Sequence, residues 1–476
     1  MASAQAADLD SLKDPLPDTL TWRGVTVYGV IDVGFGYQSD GLATSGALYT
    51  GQGYNIYGES LVNGKRNASV TNNALSQSTI GVKIEEPLGY GFTALGHIDT
   101  GFNPISGEIA DACKSLVEVA NAAVNGSKLQ AFGDGSRCGQ AFNGEAYAGL
   151  SNASYGTLKI GRQNSLELDA LANYDPMGLS YSMSLLGWSG FSGAGAGSTE
   201  TARWDNSVKY IFQYGPVHAA AMYAGGAQDT SLHGDSVAGN IGGTWRGFSI
   251  DGVYTSERGA VNAQLGTIGN FLGFNVPAGA PATGGGDVNS LYGFLTNNEA
   301  YSIMGKYTFL FDNGFKDAGA ASKLTIFAGY NHTDQTAGGG NFGASDGTTI
   351  GGYVIFDNLQ FLSTRTLETE WAGAKYESGP WSFTGAYYHV SQNSFSEKNF
   401  VIGGGVGGCA MYAFTCSGDT STGSFLVDYA FDKHFDVYAG VAYSSISGGL
   451  AHSSTDNGAY AFTDNTSVVS GLRLKF

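Results

Sequence analysis

Charge is scarce in this chain: 13% of its 476 residues are charged, where a soluble protein carries about 25%. Proline is scarcer still, with 9 residues. Basic side chains number 23 against 41 acidic ones, a net charge of −18. That balance excludes the basic footprint a nucleic-acid partner requires. No apolar run reaches the length of a membrane-spanning helix. Cysteines number four, with no Cys-x-x-Cys or histidine spacing for zinc. No EF-hand pattern occurs either, so no cofactor is expected; oxygen-rich acidic loops would hold at most a weak structural calcium ion.

What is abundant is glycine, 74 residues, with 27 tyrosines and 27 phenylalanines. Mean hydropathy is nevertheless −0.08, near neutral. Strands with one face in lipid and the other in water reconcile these facts. The alternation is visible directly. In Val25–Tyr37, Val25, Val27, Ile31, Val33, Phe35 and Tyr37 share one face, and Thr26, Tyr28 and Asp32 the other. At the chain's end Val468, Leu472, Leu474 and Phe476 oppose Arg473 and Lys475. A strand ending there would be a sticky edge unless it closed onto the first strand. Closed barrels are the β-structures that cross a bilayer.

Strands Val208–Tyr214, Phe425–Phe431 and Phe435–Tyr443 alternate in the same way. Short turns are read at Pro87–Gly91, Ser151–Gly156, Tyr214–Pro216, Trp245–Gly247, Asp312–Gly314, Ser378–Pro380 and Asp432–His434. Long loops are read at 103–140, 164–202, 258–298, 334–364, 393–420 and 447–464, with a Gly/Asn/Ser segment reaching about residue 74. The expected fold is all-β, a transmembrane antiparallel barrel of about 16 strands, with short periplasmic turns and long extracellular loops. Such a lumen is wide enough for water. Tyr37, Trp381, Phe435 and Tyr443 would sit in the interfacial aromatic girdles.

Residues 1–20 read as a periplasmic extension, with Ala4-Gln5-Ala6 as a signal-peptide scar within 1–6, and residues 21–476 as one barrel domain. The cysteines fall into two local pairs, Cys113–Cys138 and Cys409–Cys416, which suit disulfides in an oxidising compartment. Glu108–Val124 carries Ile109, Ala112, Leu116, Ala120 and Ala123 near helical spacing. It reads as a short helix packed on neighbouring loops.

Several segments then resemble, in order, the trimeric general diffusion porins of Gram-negative outer membranes. They are Thr26–Asp32, Ser78–Lys83 with Glu85–Gly89, Phe142–Leu150, Gly156–Gln163, Asp169–Gly178 and Arg203–Tyr210, together with the terminal Phe476 as an assembly signal. The resemblance covers nearly the whole chain. It implies a homotrimeric barrel in the outer membrane, exported through the periplasm and bounded by lipid and lipopolysaccharide. Its third loop, at about 164–202, would fold into the lumen. Ions and small hydrophilic solutes would pass by diffusion.

By the same resemblance, Asp175 is the acidic loop residue at the constriction, with Glu167 and Asp169 beside it. Arg203, Arg162 and Lys83 are expected on the basic wall. Asp99, Asp32 and His97 are further lumen candidates. Asp169 and Arg162 have a second reading, as charges that pin the loop to the wall. Two wall positions that are often arginine in the family are here Thr79 and Gly144. With Asp175 retained and net charge −18, mild cation selectivity is expected. The glycine-rich run 187–197 reads as a flexible surface loop.

Rival readings are a substrate-specific channel, an outer-membrane hydrolase or protease, and an adhesin or phage receptor acting through the loops. The first would need an aromatic track or a cationic cluster, and neither is evident in the sequence. The second would need a nucleophile, a base and an orienting group. Of the seven histidines only His97 lies near a lumen carboxylate, Asp99, and no third partner can be named.

Overall fold

A computed structural model of the chain describes residues 20–40, 43–44, 46–47, 66–112, 114–115, 118, 129–130, 137, 139–187, 202–225, 235–264, 290–311, 322–337, 347–350, 353–356, 363–399, 405–407, 417–448 and 463–476. Within them one antiparallel sheet closes into a 16-stranded barrel. Its first strands are β1 (Val25–Gln38), β2 in two pieces (Asn67–Asn72 and Thr79–Gly89), β3 (Phe92–Gly101), β4 (Ala146–Asn152) and β5 (Gly156–Asn164). Next come β6 (Arg203–Tyr214), β7 (Val217–Ala224), β8 (Ser236–Trp245), β9 (Phe248–Gln264), β10 (Ser290–Phe311) and β11 (Ser322–Ala337). The last are β12 (Arg365–Ser378), β13 (Trp381–Gln392), β14 (Gly418–Ala430), β15 (Phe435–Ile446) and β16 (Asp464–Lys475).

β16 pairs with β1 and removes the open edge. Past the register Val30↔Lys475, the Gly29 and Phe476 backbones exchange hydrogen bonds of 2.9 and 3.0 Å. A Cβ on Gly29 would lie 2.4 Å from the Phe476 ring, so glycine is what lets the ring cross β1 here.

The two faces differ as alternation requires. Phe35 is 68% exposed and Ile241 65%, both on the outside, while Asp32 is fully buried inside. The short turn ends gather rings: Trp381 stands 4.7 Å from Tyr429, and Tyr429 4.9 Å from Phe431, centroid to centroid. Arg23 and Arg246 sit over Trp22 and Trp245 at 5.0 and 4.8 Å. A cation over an indole suits a belt between lipid and water.

Most short turns fall where expected. The Pro87–Gly91 turn is tighter than read, because β2 runs on to Gly89 and only Tyr90-Gly91 link it to β3. The long loops are shorter than read, because β9, β10 and β11 extend into 258–298 and 334–364. The segment assigned as loop to residue 74 already contains the first piece of β2. The Asp312–Gly314 turn, all four cysteines, residues 1–19 and the run 188–197 lie outside the described residues. In Glu108–Val124, Ala112, Lys114, Ser115 and Glu118 are helical and the rest is undescribed apart from 108–111. Ala110 and Ala112 are buried against Tyr181, so this segment packs on the loop that follows β5.

The apolar core lies inside the barrel. Residues after β5 turn inward as α1 (Leu166–Tyr174), capped by Ser165, whose hydroxyl accepts from the Leu168 amide at 3.1 Å. Leu166, Leu171, Tyr174, Met183 and Leu185 then pack against Trp204, Met304, Leu367, Trp371 and Tyr388, which point inward from β6, β10, β12 and β13. Inward-facing large apolars are unusual for a water-filled barrel. Here they mark where the loop rests.

Candidate functional site

Three anchors hold this inserted segment. At its start the buried Glu167 carboxylate accepts from Ser302 Oγ on β10 at 2.5 Å and Asn331 Nδ2 on β11 at 3.1 Å. Burial lifts that carboxyl from 4.5 to about 7, although both hydrogen bonds oppose the rise. At the end of α1 the Tyr174 hydroxyl meets Asp251 and Ser249 on β9, and Trp371 Nε1 on β12 donates to the Tyr174 carbonyl at 3.1 Å. Asp175 follows, 3% exposed, accepting from the Met177 and Leu179 amides and from Tyr388 Oη on β13 at 2.5 Å. Burial raises its carboxyl above the ordinary range.

The third anchor is the break in β2. Residues 73–78 leave the sheet there because Asp32 takes over as acceptor: Leu75 and Ser76 amides donate to its carboxylate at 2.9 and 2.8 Å, and Tyr438 Oη at 2.6 Å. Side-chain acceptors thus replace the missing ladder. The released Ala74 carbonyl accepts from Ser180 Oγ at 2.8 Å and the Ser182 amide at 3.0 Å.

These contacts correct several expectations. Asp175 and Glu167 were expected as acids of the constriction; both are buried anchors, Glu167 through one oxygen that accepts from Ser302 and Asn331, Asp175 through Tyr388 on the wall and the local Met177 and Leu179 amides. Asp32, a lumen candidate, is fully buried and shapes β2. Arg162, expected on the open wall, is 8% exposed: its Nε and Nη2 donate to the Gly144 and Asn143 carbonyls, and Nη1 pairs with Asp205 at 2.7 Å. These partners tie the segment before β4 to β6. His97 is buried between Tyr28 Oη, 2.6 Å away, and Glu145, 3.3 Å away.

Other candidates stay near water. Asp169 is 44% exposed and forms a 2.8 Å ion pair with Lys209 of β6, a loop-to-wall bridge. Lys83 is exposed on the lumen face, 4.7 Å from the centre of the Tyr28 ring. Asp99 accepts from Tyr28 Oη at 3.1 Å and from the Glu145 amide. A Cβ on Gly144 would fall 1.7 Å from an Asp99 oxygen, which explains glycine where arginine was the family comparison. Arg203 is half-buried at the start of β6, opposite Asn164.

Sequence reasoning missed the residues facing the tip of the segment. A cavity of about 440 Å³ lies between residues 172–178 and the inner wall. Lys306, Lys323 and Lys375 line it from β10, β11 and β12, and Arg473 from β16. Lys306 Nζ donates to the Asn173 carbonyl at 2.9 Å, stabilising the carbonyl end of α1. Glu377 lies 3.1 Å from Lys323 and 3.7 Å from Lys375; Arg473 is bound to Asp428 at 2.6 Å and Asp436 at 2.7 Å. Alternation carried the signal, since each lysine is a lone cation on the face opposite lipid-facing Ile303, Ile326 or Tyr376.

A closed lipid-facing barrel, narrowed from inside by a segment anchored across its lumen, defines the class: a β-barrel of the bacterial outer membrane. The chain belongs to the Gram-negative porin family, whose model matches residues 1–449. It is 26% identical over 225 residues to an outer membrane porin protein of Bordetella pertussis, an alignment covering 46% of this chain and 48% of that one. The chain thus aligns with about half the length of this curated relative. Among solved structures it resembles the anion-selective porin from Comamonas acidovorans, with TM-score 0.55, 13% identity, and 95% and 99% of the two chains covered. It also resembles OmpT, an outer membrane protein of Vibrio cholerae, in its trimer form, with TM-score 0.52, 13% identity and the same coverage. At such identities these two likenesses concern the fold alone.

Proposed function

We propose that this chain forms a homotrimeric, water-filled channel for passive diffusion of ions and small hydrophilic solutes, with a preference for anions at its constriction. One observation carries the sign. The wall facing the loop tip presents Lys306, Lys323 and Lys375 against Glu377, while the carboxylate of Asp175 is buried and fully engaged. Arg473 and Asp428 offset each other. The three strands therefore contribute a surplus of two positive charges, from three lysines and one glutamate. A solute passing within about 8 Å feels such charges before salt screens them. The expected cation preference rested on Asp175, on Thr79 and Gly144 in place of wall arginines and on the net charge; burial of Asp175 takes away the first of these supports. The whole-chain charge of −18 includes many loop and rim residues away from this wall.

The trimer is supported by the family and by the trimer form of one structural neighbour. Lipid and lipopolysaccharide would contact the apolar outer face. The test is reconstitution in a planar bilayer under a potassium chloride gradient. Large ohmic steps with a reversal potential on the chloride side are expected. A potassium-side reversal potential would refute the sign, and absent conductance would refute the open channel.

A further inference from the structure

Within the same constriction, and resting on its anion preference, we propose a binding subsite for small organic anions that carry an apolar body, aromatic carboxylates being the class it fits. The cavity is lined by both cations and apolar side chains. Its cations stand in a staircase on one face of the wall: Lys306 lies opposite Phe327, Lys375 opposite Thr325, and Lys323 one further alternate position along β11. Opposite side chains on adjacent strands lie ~5 Å apart at Cβ and diagonal ones ~7–8 Å. One carboxylate can therefore reach two ammonium groups.

Apolar side chains stand among and across from these cations. Phe327 and Leu426 on the wall and Leu75, Pro176 and Met177 on the inner segments line the same space. Pro176 reaches it because Gly373 has no side chain: a Cβ there would lie 2.4 Å from the proline ring. Small inorganic ions have no use for such a surface. A cavity of about 440 Å³ holds a single-ring acid with water to spare. The surplus of lysine over Glu377 holds the acid group, while Phe327, beside Lys306 on the same wall, and Leu426 contact the ring.

Two signs that a solute-specific channel would need, a cationic cluster and an apolar track, thus meet in one place although they are scattered in sequence. The subsite would make transport of such acids saturable while chloride continues to diffuse.

The experiment is single-channel current of the reconstituted porin in potassium chloride with added benzoate, acetate, inorganic phosphate or benzylamine. Burial of roughly 60 Å² of ring predicts a half-blocking concentration for benzoate about tenfold below that for acetate. Benzylamine should block least. Phe327→Thr should bring benzoate close to acetate, and Lys375→Gln should weaken both acids in parallel. Ile326→Leu, on the lipid face of the same strand, serves as control. Equal block by benzoate and acetate in the unmodified channel would overturn the apolar half of the subsite. Equal block by benzylamine would overturn the charged half. Benzoate block that survives both lumen substitutions would mean that it binds elsewhere. The salt-gradient reversal potential, read in the same bilayers, reports the anion preference separately. An anion-selective channel with no preference for benzoate defeats only this inference; a cation-selective one defeats the proposed selectivity.

Discussion

Glu167 is a carboxylic acid wedged between the inserted segment and the barrel wall, so loop docking should depend on pH. The group is fully buried, and its carboxyl titrates near 7 rather than 4.5. The displacement from 4.5 to about 7 corresponds to ~3 kcal/mol, or a factor above 100 in the ratio of docked to released loop. The sign follows from proton binding. Between 4.5 and about 7 the docked state holds the proton and the released state does not. Docking therefore weakens as pH rises through that window and stays weakened above it. A buried carboxylate with no cation beside it is the physical reason: Ser302 and Asn331 supply hydrogen bonds without charge.

Replacing the acid by its neutral isostere, Glu167→Gln, keeps an acceptor for Ser302 and Asn331 and removes the titration. Open-channel noise and closure frequency should rise from pH 5 to pH 8 in the unmodified porin and stay flat across that range in the variant. Other titratable groups touch the segment: Asp169 with Lys209, Asp175 with Tyr388, and Tyr174 with Asp251, which His218 also contacts at 2.6 Å. Comparison with Glu167→Gln subtracts them, because all persist in the variant. A variant with the same pH slope as the parent would show that Glu167 does not control docking.

Tyr388→Phe removes one donor from the buried Asp175 carboxylate and should weaken docking by ~1.5–3 kcal/mol, seen as longer or more frequent closures; quiet currents would contradict this. Gly144→Ala forces Asp99 aside from 1.7 Å and should lower the stability of the folded barrel by ~1–3 kcal/mol, read from the temperature at which its gel mobility shifts. Deleting Phe476 removes the paired hydrogen bonds with Gly29 and should slow barrel closure in detergent refolding; refolding at the parental rate would separate the last residue from closure.

The barrel was legible because its cause is local. Period-2 alternation in β1, β14, β15 and β16 needs no knowledge of distant residues, and the observed faces agree with it from Phe35 to Arg473. Loop lengths were less legible. A barrel strand can continue past the membrane, where nothing forces lipid-facing alternation, and β9 to β11 run on in this way. The break in β2 was hidden for a related reason. Its cause, Asp32, precedes the two amides by 43 and 44 positions.

The constriction was half legible, and the half that was misread shows how charge and role come apart. A loop acid in the expected place, Asp175, still had to be either solvated or satisfied by protein donors, and its environment decides which. That environment is Tyr388, from a strand 213 residues away. Once the acid is consumed as an anchor, it no longer contributes its charge to the passing solute, and the sign of the pore passes to whatever remains accessible. Lone lysines on three neighbouring strands are nearly invisible as a motif, since Lys306, Lys323 and Lys375 share no local pattern. Register alone aligns them. The net charge of a barrel is therefore a poor guide to its selectivity: the charges that count are those left in surplus beside the loop tip, and only the pairing of strands says which they are.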